Sequence, residues 1–198
     1  MCPIFMQKIQ MTNKIRCDWC GTDPIYMDYH DNEWGKPIYD SRALWEKLIL
    51  DGFQAGLSWI TILKRREGFI KAFNEFNPAI VACYGDKEIK RLLSDKGIIR
   101  NRIKILSTIK NAKLYLEIEV KKPGNFSEFI WSFTDGKIQK NKFYSIEEVP
   151  TQSQESEAMS KALKKYGFGF CGPTICYAFM EAVGIINNHL VSCHKYKK

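Results

Sequence analysis

The stretch Tyr166-Gly167-Phe168-Gly169-Phe170-Cys171-Gly172-Pro173-Thr174 lies between two segments, 156–165 and 174–183, whose patterns predict helices. Three glycines within six residues permit a tight turn and a close approach of the backbone to another group. Pro173 suits the first turn of the second helix, where free amides and the helix dipole attract an anion. The stretch therefore predicts a helical hairpin, which either contacts nucleic-acid phosphates or simply connects two packed helices.

Helical patterns also occupy most of the remaining chain. Asp40-Ser41 supplies an N-cap for a helix with one face running from Leu44 to Ala55, and a second long helix is predicted over 101–120. Shorter helices are predicted over 61–73, 78–83, 87–93 and 126–133. Residues 139–154 are the most loop-like, and strand-like alternation is scarce. We therefore predict an all-α fold with one domain over 15–194, a mobile N-terminal extension (1–14) and a basic tail (195–198).

Composition narrows the class of partner. The 198 residues include 30 Lys+Arg and 22 Asp+Glu, a formal charge of +8, and 45% are hydrophobic. These values are typical of a soluble globular protein with an acidic partner, and nucleic acid is the first candidate. No apolar run approaches the roughly 20 residues that span a bilayer, and no signal peptide is evident. We expect a cytoplasmic protein without membrane contact.

The seven cysteines predict a reducing environment, because an odd number cannot form a complete set of disulfides. Cys83, Cys171 and Cys176 lie in apolar or helical contexts, so we expect them to fill the core. Cys2 belongs to the N-terminal extension. The remaining cysteines, which lie near histidines, are candidate metal ligands: Cys17, Cys20 and Cys193.

Cysteine and histidine pairs at the two ends of the chain suggest a metal site. Cys17 precedes His30 by thirteen residues, and His189 precedes Cys193 by four. Structural zinc commonly takes two ligands of each kind in a tetrahedron, and a shared ion would join the two ends of the chain. Spacing alone also allows ligand sets that use Cys20 or His194, or no metal at all.

A carboxylate on an apolar helix face is the second candidate site. Asp51 interrupts the face that runs from Leu44 to Ala55, and a buried carboxylate needs a partner or a ligand. Tryptophans Trp19, Trp34 and Trp59 lie nearby in the sequence, and aromatic faces with one carboxylate would hold a planar, electron-poor ring. The alternative is that the tryptophans are core residues and that Asp51 caps a helix or pairs with an arginine.

Five stretches of the chain resemble, in order, sequences of the DNA-3-methyladenine glycosylase I family, the bacterial TAG type. They are Tyr29-His30-Asp31-Asn32-Glu33-Trp34-Gly35, Gln54-Ala55-Gly56-Leu57-Ser58-Trp59-Ile60-Thr61, Asp95-Lys96-Gly97-Ile98-Ile99-Arg100, Phe129-Ile130-Trp131-Ser132-Phe133 and Ser160-Lys161-Ala162-Leu163-Lys164-Lys165-Tyr166-Gly167-Phe168. The resemblance runs from about Cys17 to Cys193, which is nearly the whole chain.

The resemblance implies an all-α, helix-hairpin-helix architecture with a structural zinc ion (Zn2+) that joins the N- and C-terminal segments. The residues that match the family's zinc ligands are Cys17, His30, His189 and Cys193, which makes Cys20 and His194 bystanders. The hairpin matches residues 167–172. The expected contacts to the DNA backbone are Lys165, Gly167, Phe168, Gly169, Gly172 and Thr174.

The resemblance also assigns a pocket. Tyr29 and Trp59 match the family's base-binding tyrosine and stacking tryptophan, while Trp19, Tyr26 and Trp34 match aromatic positions near them. Asp51 matches a pocket carboxylate that is usually a glutamate in the family. Its shorter side chain withdraws the carboxylate by about one methylene, so a water bridges to the base or the pocket prefers a different lesion.

The implied activity is hydrolysis of the N-glycosidic bond of 3-methyladenine in alkylated double-stranded DNA, with free 3-methyladenine as product and a monomeric enzyme. Residues 184–198 contain no Asp or Glu, with Asn187 and Asn188 instead, so we expect no strong carboxylate assistance from that segment. No lysine stands out as a Schiff-base nucleophile, which favours a monofunctional hydrolase. The alternatives are a glycosylase with altered lesion preference and a non-catalytic, zinc-stapled DNA-binding protein.

Overall fold

The fold is mostly helical, as predicted. The computed structural model describes residues 14–196, so the predictions for 1–13 and 197–198 lie outside the described residues. The elements, in chain order, are α1 Pro24–Asn32, α2 Ser41–Gln54, α3 Trp59–Leu63, α4 Arg66–Ala72, α5 Pro78–Val81, α6 Asp86–Ser94, α7 Arg102–Glu119, α8 Asn125–Trp131, β1 Gln139–Lys140, α9 Gln154–Tyr166, α10 Pro173–Ala182 and β2 Ile186–Asn187. Within residues 14–196, no helix combines the length and the apolar character needed to cross a bilayer.

Helix α2 crosses the middle of the molecule and contacts α3, α7, α8 and α10. It begins as predicted, because a carboxylate oxygen of Asp40 accepts a hydrogen bond from the Ala43 amide at 2.7 Å. Its apolar residues, among them Leu44, Trp45 and Phe53, are completely or almost completely buried. The core sits around this helix, so a polar side chain on its inner face is enclosed by neighbouring helices.

Several boundaries differ from the prediction. The helix predicted over 61–73 is wrong as a single element, because Arg65 adopts φ −109° and ψ 4° and separates α3 from α4. Ala55 lies just beyond α2, since its ψ of 118° is extended rather than helical. Helix α1 was not predicted, although Asp23 accepts a hydrogen bond from Ile25 and Pro24 opens the helix. Cys83 is exposed rather than in the core, whereas the other two predicted core cysteines are buried.

The predicted loop over 139–154 is mostly irregular but begins with a short strand. β1 pairs in parallel with β2, with Gln139 opposite Ile186. A short 3-10 helix at Ile146–Glu148 follows. The pairing holds this long connection against the segment that follows α10, close to the C-terminal cysteine and histidine residues.

The predicted helical hairpin is formed by α9 and α10. Gly167 ends α9 with φ +104°, a conformation that favours glycine, and its amide donates to the carbonyl of Leu163 at 3.1 Å. The side-chain amide of Asn111, on α7, holds Gly169 on both sides: its oxygen accepts from the Gly169 amide at 3.0 Å and its nitrogen donates to the Gly169 carbonyl at 3.1 Å. The turn is thereby fixed to the core.

Candidate functional site

One cavity of about 400 Å³ collects the side chains that the sequence singled out. It lies among α1, α2, α3 and α10. All six residues predicted for the pocket line it: Trp19, Tyr26, Tyr29, Trp34, Asp51 and Trp59. A cavity of this size accommodates a single base-sized ring.

The aromatic side chains of the cavity form a connected cluster. The ring centroids of Tyr29 and Trp59 are 5.4 Å apart, and Trp19 lies 5.0 Å from both Tyr26 and Trp34. These distances are typical of paired aromatic rings. Tyr29 and Trp59 are only 4% and 8% exposed, although both line the cavity.

Asp51 is buried, and its partner is Lys47, one helical turn earlier on α2. Lys47 Nζ donates to Asp51 Oδ1 and also lies 3.9 Å from the centroid of the Trp59 ring. Burial raises the pKa of the Asp51 carboxyl and lowers the pKa of the Lys47 ammonium, and the ion pair opposes both changes. The predicted need for a partner is met by a lysine rather than an arginine. Sequence reasoning missed Lys47, although the spacing of four residues was visible.

The turn between α2 and α3 presents Trp59. Gly56 has φ +78°, which lets the chain reverse before α3 begins at Trp59. Lys104, a buried residue of α7, donates hydrogen bonds to the carbonyls of Phe53 and Ala55 at 2.8 and 2.7 Å. Because these carbonyls end α2, Lys104 caps the helix and holds the start of the turn.

Three buried polar atoms around the cavity have no hydrogen-bond partner among residues 14–196. They are Trp19 Nε1, Trp59 Nε1 and Asp51 Oδ2. An unsatisfied buried polar atom costs about 1–3 kcal/mol, and so it is rarely retained without a partner or a ligand. Two donors and one acceptor are thus available for a polar ring in the cavity.

A second carboxylate, Glu181, also lines the cavity. Its Oε1 accepts a hydrogen bond from Asn188 Nδ2 at 2.7 Å. Burial raises the pKa of Glu181 to about 7, against the opposing hydrogen bond from Asn188. The sequence reasoning looked for a carboxylate only over 184–198 and missed this one. The signal was its place on the α10 face that also carries Thr174 and Tyr177, which precede Glu181 by seven and four residues along the helix.

Four predicted metal ligands meet beside the cavity. Cys17, His30, His189 and Cys193 are all buried, and their ligand atoms lie within 4.8 Å of one another. His189 Nδ1 is 3.7 Å from both sulfurs, and His30 Nε2 is 3.4 Å from Cys193 Sγ. Cys20 and His194 lie outside this cluster: Cys20 Sγ approaches the Gly21 carbonyl, and His194 Nδ1 lies 2.9 Å from the Ile15 carbonyl.

The cluster has the dimensions of a tetrahedral zinc site. Zinc–sulfur and zinc–nitrogen bonds of about 2.3 and 2.05 Å place tetrahedral S and N ligands about 3.6 Å apart. The S–N distances of 3.4 and 3.7 Å agree with that value. Asp31 contacts the ring nitrogen of His30 that is not directed at Cys193: Asp31 Oδ1 lies 2.9 Å from His30 Nδ1. Arg16 forms an ion pair with the same carboxylate at 2.8 Å. A carboxylate behind a ligating imidazole is typical of zinc centres.

The cluster of Cys17, His30, His189 and Cys193 shares a wall with the cavity. Cys17 lines the cavity, and the Trp34 ring lies 4.6 Å from the His189 ring. An ion that fixes the four ligands would therefore also fix Trp34 and the segment that carries Trp19. The arrangement connects the stability of the cluster with the shape of the pocket.

The hairpin residues predicted to contact DNA have different environments. Phe168 is buried, Lys165 is exposed and Thr174 lines the cavity. The amides of Gly167 and Gly169 donate to groups inside the protein. Gly172 is the N-cap of α10, whose first-turn amides have no helical acceptor. Among the predicted contacts, the backbone amides without an acceptor in their own helix therefore lie in the second half of the hairpin.

The comparisons with known proteins agree with this geometry. Residues 19–196 match the family model described as methyladenine glycosylase. The chain is 48% identical over 181 residues to DNA-3-methyladenine glycosylase 1 of Escherichia coli (strain K12). The matched region covers 91% of this chain and 96% of the relative.

Solved structures give the same result. A crystal structure of 3-methyladenine DNA glycosylase I (TAG) superposes with a TM-score of 0.90 at 47% identity, covering 92% of this chain and all of the other. A tyrosine-to-phenylalanine variant of such an enzyme, in complex with 3-methyladenine, has a TM-score of 0.87 at 38% identity over 92% of this chain and 98% of its own. The chain belongs to the methyladenine glycosylase family.

Proposed function

We propose that the protein is a monofunctional DNA-3-methyladenine glycosylase of base-excision repair, which hydrolyses the N-glycosidic bond of 3-methyladenine in alkylated DNA. The observation that carries the proposal is the cavity, where aromatic faces and a buried carboxylate with one free oxygen lie together. Family membership and the 3-methyladenine complex of a related structure support the same substrate.

Catalysis begins when the damaged nucleotide leaves the duplex, at a cost of a few kcal/mol. Stacking on Trp59 and Tyr29 repays part of this cost, because an N3-alkylated adenine is positively charged and aromatic faces attract cations. Asp51 Oδ2 accepts a hydrogen bond from the base and orients it. The C1′–N9 bond breaks with its electron pair moving to the base, which leaves as a neutral molecule. Water adds to C1′ and loses a proton to the solvent, which leaves an abasic site.

Asp51 allows an alternative base preference within the same reaction. Its carboxylate is one methylene shorter than the usual glutamate, and Lys47 holds its other oxygen. The free oxygen therefore sits deeper in the wall, which favours either a bridging water or a somewhat different alkylated base. The spectrum of released bases distinguishes these two versions of the activity.

Lys47 does not act as a Schiff-base nucleophile in this proposal. A nucleophilic lysine must be neutral and free, whereas Lys47 donates to Asp51 and lies over the Trp59 ring. Borohydride reduction during turnover should therefore trap no covalent complex with DNA. A trapped adduct at Lys47 would contradict the monofunctional mechanism.

The α9–α10 hairpin is the proposed contact to the DNA backbone, through Gly167, Phe168, Gly169, Gly172, Thr174 and Lys165. Gly167, Phe168 and Gly169 shape the turn, and Gly172 and Thr174 bring the N-terminus of α10 to a phosphate. Lys165 adds charge. Such contacts do not depend on base sequence, and together with the charge of +8 they suit scanning of duplex DNA by a helix-hairpin-helix protein.

Zinc is the proposed ion for Cys17, His30, His189 and Cys193. The donor set, its distances and the contact from Asp31 fit zinc, and the ion would supply structural cross-linking rather than chemistry at the base.

We also propose that the protein acts as a monomer in the cytoplasm. The similarity to DNA-3-methyladenine glycosylase 1 of Escherichia coli supports this compartment, because bacterial DNA lies in the cytoplasm.

The test is chromatographic identification of the bases released from methylated duplex DNA by the purified, metal-replete protein. Free 3-methyladenine and an abasic site are expected.

The variant Asp51→Asn should reduce base release by about 100-fold or more while DNA affinity changes little, because it removes an interaction with the base and not with phosphates. Lys165→Gln is the matched control. It should weaken DNA binding and reduce the salt dependence of that binding, while single-turnover release of the base stays nearly normal. Equal losses in both properties for Asp51→Asn would contradict the pocket role.

A further inference from the structure

Glu181 is a cavity carboxylate whose position is fixed by a small polar network. Asn188 donates one N–H to Glu181 and the other to the Tyr177 hydroxyl, at 2.7 and 2.8 Å. The carbonyl oxygen of Asn188 in turn accepts from Asn141 at 2.8 Å. Every polar position of the Asn188 side-chain amide is thus used, which sets the orientation of the Glu181 carboxylate toward the cavity.

The charge of Glu181 is not compensated in the way that the charge of Asp51 is. Asp51 has Lys47, whereas no Lys, Arg or His side chain within residues 14–196 forms an ion pair with Glu181. The ionisable groups that line the cavity with it are Asp51 and Lys47 of α2, Tyr177 of its own helix, Tyr26 and Tyr29 of α1, and Cys17. Glu155 of α9 lies close enough to Tyr177 to affect the pKa of its hydroxyl. The groups that approach from the other side, Asn141 and Asn188, are uncharged. An ionised Glu181 therefore gives the cavity a net negative charge.

We propose that Glu181 is a specificity-determining residue that makes the pocket prefer bases carrying a positive charge, an inference that rests on the proposed function. A cationic N-alkylated purine supplies the missing counter-charge, whereas a neutral base leaves an ionised carboxylate enclosed beside it. The preference separates alkylated from normal bases by their charge as well as their shape.

The same residue favours departure of the product. When the C1′–N9 bond breaks, its electron pair moves to the base, so the released purine is neutral. The attraction between the base and Glu181 then disappears at the moment of cleavage. Glu181 thus selects the charged base before the reaction and does not retain the neutral base after it.

The preference depends on pH. The pKa of Glu181 in the unliganded protein is raised to about 7 by burial. A bound cation stabilises the ionised form, so by linkage the ionised form binds the cation more tightly. Affinity for a cationic base should therefore rise as the pH rises through about 7, and affinity for a neutral base should not.

The probes are 3,9-dimethyladeninium, which is a permanent cation, and 9-methyladenine, which lacks the N3 methyl group and stays neutral. Their binding to the metal-replete protein is followed by tryptophan fluorescence at about pH 6 and about pH 8. With a pKa of about 7, the wild-type affinity for the cation should increase about tenfold over this range. In Glu181→Gln the increase should vanish and the cation should bind about tenfold or more weakly at the higher pH.

Glu155→Gln is the matched control, because Glu155 bonds Gln139 and lies outside the cavity, and it should keep the wild-type profile. A pH-independent affinity in the wild type overturns the proposal without any variant. A pH dependence that persists in a folded Glu181→Gln protein also overturns it, since the titrating group is then the Lys47–Asp51 pair. Release of 3-methyladenine from DNA is measured separately, so a failure of the activity and a failure of the charge preference give different results.

Discussion

The two cavity carboxylates, Asp51 and Glu181, differ in their electrostatic environment because they have different neighbours. Asp51 forms an ion pair with Lys47 on its own helix, whereas Glu181 receives only an uncharged donor from Asn188. Burial raises the pKa of both carboxyl groups, and the charge of Lys47 opposes the rise in both, but Lys47 forms its ion pair with Asp51. Asp51 is accordingly suited to a fixed hydrogen bond with a base, and Glu181 to a charge that changes near neutrality.

The raised pKa of Glu181 has a consequence for stability. The pKa of this carboxyl is about 7 in the folded protein and about 4.5 when unperturbed, so the folded state holds the proton more tightly. The resulting stabilisation is fully present below about pH 4.5 and is lost as the pH rises through about 7. It amounts to at most about 3 kcal/mol. Urea unfolding of the wild type and of Glu181→Gln, at pH 5 and pH 8, should show a pH-dependent difference of this sign. A constant difference would contradict it.

At the residue scale, the sequence was sufficient for side chains whose identity alone indicates a role. Residue type singled out Asp51, the tryptophans and the cysteine and histidine pairs as candidates. The choice among the possible metal ligands and the pocket roles of Tyr26 and Tyr29 came from the family resemblance. The structure brings all ten residues to the cavity or to the cluster. Lys47 and Glu181 were not found, since a charged residue on a helix is usually solvated. Only the packing of α2 and α10 encloses them, and that packing depends on contacts between distant segments.

At the scale of elements, α7 positions the parts of the site that belong to other helices. Lys104 holds the last carbonyls of α2, and Asn111, two turns later on α7, holds Gly169 of the hairpin. Helix α7 was predicted from its period, but these two tethers depend on long-range contacts. The break at Arg65 was missed because the local pattern of 61–73 suits a continuous helix, whereas the backbone angles of Arg65 depart from helical values.

Replacing Lys104 by methionine tests the first of these tethers. The variant keeps the apolar stem but leaves the carbonyls of Phe53 and Ala55 without their donor, at a cost of about 1–3 kcal/mol. The melting temperature should fall, and base release should slow because Trp59 follows this turn. Lys113→Met, on the exposed face of the same helix, is the control and should change neither property. Equal behaviour of the two variants would show that Lys104 does not position the turn.

At the scale of the whole molecule, the metal cluster joins segments that are far apart in sequence. Cys17 and His189 are separated by 172 positions, yet their ligand atoms are 3.7 Å apart. Beside them, the His194 amide donates to the Ile15 carbonyl at 2.9 Å. The cluster thus closes the fold around the cavity, and its loss should affect both stability and the pocket.

The variant Cys193→Ser tests this closure. Serine is a poor zinc ligand, so metal content should fall below one ion per chain and the unfolding free energy should drop by several kcal/mol. Cys83→Ser is the control, since Cys83 is exposed and outside the cluster. Atomic emission and thermal melting measure the two effects. If both variants keep the metal and the melting temperature of the wild type, the cluster does not stabilise the fold.

The distance between the ligand pairs along the chain also sets an order of events during translation. Cys17 and His30 are made early, and His189 and Cys193 are added only when almost all of the other described residues have been polymerised. A nascent chain therefore holds only half of the proposed metal site during most of its synthesis. Helix α10, which packs on α2, is itself made shortly before the remaining half. An ion that binds all four ligands would therefore bind only after almost all of the described chain has been made, as a late step of folding rather than as its nucleus.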